Sequence, residues 1–258
     1  MDNSNNRPSY EPQAPVDPPS EVTPRLGSLQ RLLNAFSSPG KVFEDIRVKP
    51  TWVLALVGMM ILTVGAQTIV LPHLDQETTI RQRMASRSDE LSEEQIDQVV
   101  ERAEKFTRFM PVITAVVVPI MWALLAAIFF LMLKLVGSEA DYQRTLSTAL
   151  HAYWPPAVVA SVLMVALIQR AGKVTEDEIP NLMKSHIGAF LSPDAPSWLS
   201  SVATTLSVFN VWTVVLLVIG FKIVGRLSTA RATTAVLVPW VVWLIGKAGL
   251  GLLQGMLS

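Results

Sequence analysis

Long uncharged runs are the feature that most limits what this chain can fold into. Residues 52–71, 109–133 and 198–221 contain no charged side chain, and each run is at least 20 residues long. Since a helix needs roughly 20 apolar residues to cross a bilayer core, these runs predict transmembrane helices. Residues 145–169 are also uncharged, and residues 232–258 contain a single interior charge. The sequence therefore predicts an all-α integral membrane protein with five transmembrane helices and amphipathic juxtamembrane helices.

The composition agrees with a membrane domain. Hydrophobic residues make up 50% of the chain and charged residues only 16%, whereas soluble domains usually have about 25% charged residues. We expect a membrane domain over residues 28–258, preceded by a tail over residues 1–27. The five spans are predicted at about 52–72, 110–136, 152–170, 198–222 and 232–254.

The predicted tail is rich in proline and poor in large apolar groups. Six prolines fall within the first 24 residues, and such a segment cannot bury enough surface to offset its ordering entropy, so we expect disorder. Pro12, Pro15 and Pro18 recur every third residue, which favours a polyproline II helix. The tail is then either a docking site for a proline-reading domain or only a soluble tail. It lacks the apolar core of a secretory signal peptide, so the first span is expected to serve as a signal anchor.

Residues 28–47 carry an apolar stripe just before the first span. Val42, Phe43 and Ile46 lie on one side at helical spacing, and charged residues occupy the other side. This pattern predicts an amphipathic helix on the membrane surface, with its stripe toward lipid or the other helices; a plain juxtamembrane linker is the alternative. Pro50 should end the helix and Thr51 should cap the first span. Gly40-Lys41 lacks the upstream glycine and the following Ser or Thr of a phosphate-binding loop, which excludes nucleotide binding there.

Two further helices are indicated by local signals. Ser92 and Gln95 form a capping box for a helix that continues into the second span, and Gly137 should end that span. Pro119 predicts a kink whose freed backbone groups are satisfied by neighbouring helices. Residues 141–153 form an amphipathic pattern that the prolines of residues 154–156 are expected to interrupt before a short third span.

The sequence offers no residues for catalysis or for a cofactor. The five predicted spans contain no Asp or Glu, and the chain has no cysteine and three histidines in separate segments. Metal sites need clustered ligands at particular spacings, and His73, His151 and His186 have none. Lys247, the single interior charge, can extend to the interface. We therefore expect no enzyme, no cofactor and no metal, and the formal net charge of zero gives no indication of nucleic-acid binding.

Small and polar residues in the last two spans indicate close helix packing. Gly251 and Gly255 form a Gly-x-x-x-Gly pattern, which serves either contacts within the chain or a dimer. Asn210 should point at another helix because an unpaired amide in lipid is costly; Gly220 shares its face, and Trp212 lies on the opposite one. The candidate packing or interaction residues are therefore Phe43, Asn210, Trp212, Gly220, Gly251 and Gly255.

The charge distribution predicts the orientation. With the N-terminus in the cytoplasm, the cytoplasmic segments are the tail, residues 134–145 and residues 222–231. They hold 11 of the 21 basic residues but only 8 of the 21 acidic residues. Cytoplasmic loops carry an excess of Lys and Arg near the span ends, and the clearest such segments are the helix before the first span and residues 222–231, which hold three basic residues and no acidic residue. We therefore expect the N-terminus inside and the C-terminus outside.

Four segments in this order resemble the landmarks of a known family. FSSPGKVFEDIRVKPTW, LSEEQIDQVVERAEKF, YQRTLSTALHAYWPP and FNVWTVVLLVIGFKIVGRLSTARA are similar to segments of the Yip domain family of Ypt/Rab-interacting membrane proteins. The resemblance implies a five-span fold. In the eukaryotic branch it implies Golgi or endoplasmic reticulum membranes and trafficking through Rab-type GTPases. The chain lacks that branch's Asp-Leu-Tyr-Gly-Pro motif and is closer to the prokaryotic branch, so the resemblance implies a prokaryotic cytoplasmic membrane.

Two functions remain open from the sequence. The first is a non-enzymatic membrane protein that organises or recruits partners, with the lipid bilayer and either other proteins or further copies of itself as partners. The second is a small-solute transporter or channel component, with a polar path among Pro119, Asn210, Thr213, Lys247 and Gly255. A water-filled cavity reaching the middle of the bilayer would favour the second function, and a helix bundle packed without one would favour the first.

Overall fold

The computed structural model describes residues 26–86, 92–192 and 195–257, so nearly all of the predicted tail lies outside the described residues. Within these ranges the chain is helical, with isolated bridges in place of β-strands. The helices are α1 Ser28–Ser37, α2 Pro39–Val48, α3 Val53–Val70, α4 Gln76–Ser86, α5 Glu93–Leu135, α6 Tyr142–Ala171, α7 Ile179–Leu182, α8 Ser197–Thr205, α9 Val208–Val224 and α10 Thr229–Leu257. Short 3₁₀ turns occupy Leu71–His73 and Ile187–Phe190.

Four helices in the described part of the chain are long and apolar enough to cross a membrane. They are α3 with its following turn, α5, α6 and the part of α10 that covers Thr229–Leu253. Helix α9 is apolar but has only 17 residues, or about 25 Å at 1.5 Å per residue. The all-α membrane fold is therefore confirmed, and the count of five spans stays a prediction.

Helix α5 shows how local sequence signals set helix boundaries. Its 43 residues begin where the capping box predicted: the Ser92 hydroxyl accepts from the Gln95 backbone N–H, and the Ser92 N–H donates to Gln95 Oε1 at 2.9 Å. It ends at Leu135, and Gly137 follows with a φ of 81°, a left-handed conformation that favours glycine. The predicted start and end of this helix are both confirmed.

Helix α6 differs from the prediction because its prolines do not interrupt it. It runs for 30 residues with Pro155 and Pro156 inside, so the amphipathic segment and the third span are a single helix. Residues 145–152 are all buried, as are both prolines. A proline removes one backbone donor and crowds the preceding turn. Tight packing of this stretch against several helices offsets that cost, and the sequence gives no sign of such packing.

The helix predicted over residues 198–222 is broken at Leu206 and Ser207, which is a second correction. The break is stabilised by residues 185–187, a segment distant in sequence: the Ile187 N–H donates to the Leu206 carbonyl at 3.1 Å, and the Val208 N–H donates to the Ser185 carbonyl at 3.0 Å. The Ser207 hydroxyl then caps α9. The break is therefore accompanied by a pairing with a distant segment, which no local pattern reveals.

The N-terminal helices form part of the bundle. Proline is favoured at the first position of a helix, and the chain divides into α1 and α2 at Ser38, directly before Pro39. Val42, Phe43 and Ile46 of α2 are each 0–1% exposed. They belong to one core cluster with side chains from α5, α6, α9 and α10. The stripe predicted for α2 therefore faces other helices, whereas α1 keeps Leu29 and Leu33 exposed.

Gly220 sets how closely α2, α6 and α9 approach one another. A Cβ built at this position would lie 2.5 Å from Thr148 Cγ2 and 3.0 Å from Phe43 Cε1. Both neighbours belong to fully buried side chains, so neither can move away without disturbing the core. The ring of Phe43 is thus held in a site that only a glycine on α9 leaves open.

We expect Gly220→Ala to destabilise the protein, because the added methyl group overpacks this contact. Overpacking in a packed core costs about 1–3 kcal/mol. The measurement is thermal unfolding of the purified protein in detergent. Gly246→Ala is the matched control, since a Cβ there meets nothing within 4 Å. Equal unfolding temperatures for the two variants would contradict the packing assigned to Gly220.

Candidate functional site

A buried ion pair joins α1 to α2. Arg31 and Asp45 are 1% and 6% exposed, and Arg31 Nη2 lies 2.7 Å from Asp45 Oδ2. Arg31 Nε also donates to Asp45 Oδ2 at 2.8 Å. The amphipathic pattern of residues 28–47 predicts that the charged residues, Asp45 among them, lie on the outer side of the helix, so the burial of Asp45 corrects that prediction. Its partner lies 14 positions away on another helix, beyond the reach of any periodicity argument.

The Arg31 guanidinium also donates hydrogen bonds to the loop between α2 and α3. Arg31 Nη1 donates to the Lys49 carbonyl at 2.8 Å and to the Thr51 hydroxyl. Thr51 therefore binds Arg31, and the N-cap position of α3 is Trp52, without a side-chain cap. The prediction that Thr51 caps the first span is wrong. Pro50 does end α2 near the expected place, at Val48.

Helix α6 holds this N-terminal unit from the other side. Ser147 Oγ donates to the Thr51 carbonyl at 3.1 Å, and Arg144 Nε donates to the Arg47 carbonyl at 2.8 Å. His151, fully buried, donates from Nδ1 to the Ser147 carbonyl at 2.7 Å. This histidine therefore has a structural role within α6. The hydrogen bonds made by Arg31, Arg144 and Ser147 together hold α1 and α2 against the bundle.

The side of the bundle that carries α2 is basic. The loop after α5 and the loop after α9 meet there, since the Glu139 N–H donates to the Gly225 carbonyl at 3.3 Å and Arg226 pairs with Glu139 at 3.0 Å. We call this side the basic face and define it by residues that are exposed or half-buried: Lys41, Arg47, Lys49, Lys134, Arg144, Lys222, Arg226 and Arg231. Its acidic residues are Glu44, Glu139 and Asp141.

The opposite end of the bundle is formed by α4, the start of α5 and residues 172–192. Ion pairs connect these segments: Arg81 reaches Glu93 at 2.8 Å, and Arg83 reaches Glu176 at 2.7 Å. The Thr78 backbone N–H donates to Asp75 Oδ1 at 3.0 Å, which lowers the pKa of that carboxyl. Acidic residues are more frequent here than on the basic face, so the two ends of the bundle differ in charge.

A cavity of about 620 Å³ lies between α3, α5, α6, α9 and α10. Its walls are apolar and aromatic, with Trp122, Trp240 and Trp243 among them. The polar side chains that line it are Thr63, Tyr153, Thr205, Asn210 and Thr213. On α5 the lining extends from Val118 to Phe129, which lies within the uncharged run of this helix. The cavity is therefore at the depth of the hydrocarbon core.

Asn210 lies between this cavity and the break before α9. Its Nδ2 donates to the Thr205 carbonyl at 2.6 Å, and its backbone N–H donates to Ser207 Oγ at 3.1 Å. The Asn210 amide thus supplies a hydrogen-bond donor to the backbone carbonyl of the last residue of α8. Trp212 is half-buried against the core cluster.

The two candidate glycines of α10 are placed differently. A Cβ on Gly251 would lie 2.7 Å from Trp198 Cα of α8, so this residue serves a contact within the chain. Gly255 belongs to α10 by its backbone, but its surroundings lie outside the described residues. Of the predicted polar path, Asn210 and Thr213 line the cavity, whereas Pro119 and Lys247 do not.

Metal binding finds no candidate in the described ranges. No group of three or more His or acidic side chains converges there.

The sequence reasoning missed both the Arg31–Asp45 pair and the cavity. An arginine within an apolar helical stripe was the available signal for the pair. The cavity depends on where five helices leave space, and the sequence holds no signal for that.

We expect Arg31→Met to destabilise the protein strongly, because it leaves the Asp45 carboxylate buried without its ion-pair partner. Breaking a buried pair typically costs about 3–5 kcal/mol, whereas replacing both members with apolar residues is often neutral. Arg31→Met with Asp45→Leu should therefore recover much of the loss in thermal unfolding. The control is Arg226→Met, whose partner Glu139 is exposed; such surface pairs contribute about 0–1 kcal/mol. Equal losses at Arg31 and Arg226 would contradict the role assigned to the buried pair.

Comparison with known proteins places this chain in a family. The model of the Yip1 domain matches residues 33–250. The chain is 28% identical over 200 residues to membrane protein YknW of Bacillus subtilis strain 168, a match that covers 76% of this chain and 79% of that protein. No solved structure gives a significant match. The family match covers every helix from α2 to α9 and most of α10, and it agrees with the resemblance seen in the sequence. The chain is a member of the Yip1 domain family of membrane proteins.

Proposed function

We propose that this protein is a non-enzymatic organiser of the membrane that recruits protein partners on the cytoplasmic side through its basic face. The observation that carries this proposal is the fixed position of α2. Its apolar side is buried in the bundle, so Lys41, Arg47 and Lys49 are held outward as a rigid set. A partner with a complementary acidic surface would find these charges already in place, which lowers the ordering cost of binding.

The orientation proposal is supported by the short connection between α9 and α10, because residues 222–231 contain three basic residues and no acidic residue. The basic face gathers eight basic residues and three acidic residues, and it includes the loops that precede α6 and α10. Short cytoplasmic loops are enriched in Lys and Arg. We therefore place the basic face in the cytoplasm of a prokaryotic cell, in accord with the bacterial relative.

The transporter alternative has less support. The cavity does reach the depth of the bilayer core, but most of the residues that line it are apolar or aromatic, and none of the described lining residues is charged. Transport sites for polar solutes usually contain membrane-embedded charges. The two candidate path residues that reach the cavity donate their hydrogen bonds to backbone carbonyls of their own chain.

Labelling of single cysteines will test the orientation. The natural chain has no cysteine, so Lys49→Cys and Lys184→Cys each create a unique thiol at an exposed position. We expect a membrane-impermeant maleimide to label position 184 in intact cells and position 49 only after the cells are broken. The reverse pattern would overturn the orientation, and labelling of both from the same side would overturn the separation of the two ends.

Crosslinking in native membranes will test recruitment. The proposal predicts that Arg47→Glu with Lys49→Glu removes most of the protein captured by the full chain, because it reverses two charges of the basic face. The matched control is Lys173→Glu with Lys184→Glu at the opposite end, which should leave capture unchanged. Capture should also decrease as the salt concentration rises, since exposed charges are screened. Unchanged capture by the variant with Arg47→Glu and Lys49→Glu would refute the basic face as the recruiting surface.

A further inference from the structure

The cavity within the bundle has a mouth on the surface that faces lipid. Met121 and Ile128 of α5 and Val242 and Trp243 of α10 line it and are exposed. Thr213 and Leu217 of α9 line its inner wall and are buried. The opening between α5 and α10 therefore faces the hydrocarbon of the bilayer, and a ligand would enter sideways from the membrane.

The polar groups of the cavity are neutral, and most of them are already bonded. Thr63, Thr205 and Thr213 each donate to the backbone carbonyl four residues earlier. The Tyr153 hydroxyl, by contrast, has no hydrogen-bond partner among the described residues, although its ring packs edge-on against Trp122 at 5.1 Å. The Tyr153 hydroxyl is thus a donor available to a ligand in a wall that is mostly apolar and aromatic.

Asn210 provides the complementary acceptor. Its Nδ2 donates to the Thr205 carbonyl, and because a carbonyl only accepts, this bond fixes the orientation of the amide. The Oδ1 atom is the other end of the same amide, and it has no partner in the part of the chain that the structure describes. The cavity thus offers a hydroxyl donor and a carbonyl acceptor, and none of the described residues that line it carries a charge to bind a phosphate or an ammonium group.

We propose that this cavity binds a neutral glycerolipid of the bilayer, with its acyl chain against the aromatic wall and its ester and free hydroxyl at Tyr153 and Asn210. An ester carbonyl accepts from the Tyr153 hydroxyl, and a glycerol hydroxyl donates to Asn210 Oδ1. The volume of about 620 Å³ lies within the usual range of roughly 300–1,000 Å³ for ligand sites. Diacylglycerol is the simplest bilayer lipid with this set of groups.

The first test is photolabelling of the purified full chain with a diacylglycerol whose acyl chain carries a diazirine. Phosphatidylglycerol and phosphatidylcholine with the same labelled chain are the comparison probes. We expect diacylglycerol to give most of the adduct, on peptides of α5, α9 and α10, and unlabelled diacylglycerol to compete for it. Equal labelling by the three lipids would overturn the proposal, because it would mean only that lipid lies against the bundle.

Paired substitutions will separate the cavity from the outer surface. Val118 lines the cavity, and its neighbour Val117 is exposed and does not. Val118→Trp should abolish diacylglycerol labelling, whereas Val117→Trp should preserve it. If Val118→Trp fails to fold, Val242→Trp at the mouth provides the same test. Labelling that survives in the folded filling variant would refute the site.

Removal of the tyrosine hydroxyl will test the polar contact. Tyr153→Phe keeps the ring against Trp122, and the loss of one hydrogen bond should weaken diacylglycerol binding by about two- to tenfold. Tyr142→Phe is the control, because the Tyr142 hydroxyl donates to the Ala123 carbonyl outside the cavity. An unchanged affinity in Tyr153→Phe would overturn the proposed orientation of the lipid.

Discussion

The bond between Arg31 and Asp45 is the constraint on which the arrangement of the N-terminal helices depends. A guanidinium without a partner cannot remain at 1% exposure, since the cost of burying an unpaired charge exceeds what packing returns. With its partner in place, the same side chain also binds the loop before α3. A single ion pair therefore fixes α1, α2 and the start of the first span relative to one another.

Helix α6 connects this unit to the remainder of the bundle. It contributes to both hydrophobic clusters, one shared with α2 and α9 and the other with α1 and α3. Its buried hydroxyls bond to carbonyls, as the absence of water in a bilayer requires. The basic face and the cavity lie on either side of this common framework, so the proposed recruiting surface and the proposed lipid site are both supported by α6.

The sequence predicted the elements that depend on local chemistry and missed those that depend on distant contacts. The capping box at Ser92 and the end at Gly137 follow from nearest neighbours, and both were predictable. The uninterrupted α6 and the break before Ser207 depend on packing and on residues 185–187, which no local pattern contains. The candidate site divides in the same way. Phe43 lies on a recognisable face of α2 and Gly220 on a recognisable face of α9, but nothing in the sequence indicates that the two residues meet.

Helix α5 is longer than the hydrocarbon core of a bilayer is thick. Its 43 residues extend about 64 Å at 1.5 Å per residue, roughly twice the hydrocarbon thickness of a bilayer. The charged first turns therefore extend beyond the membrane as an arm, which Arg81 joins to α4. Because the inner part of the same helix forms a wall of the cavity, a tilt of about 5° there would move the tip of the arm by about 3 Å over the protruding length. A change in the tilt of this helix within the membrane would therefore displace its charged first turns outside the membrane.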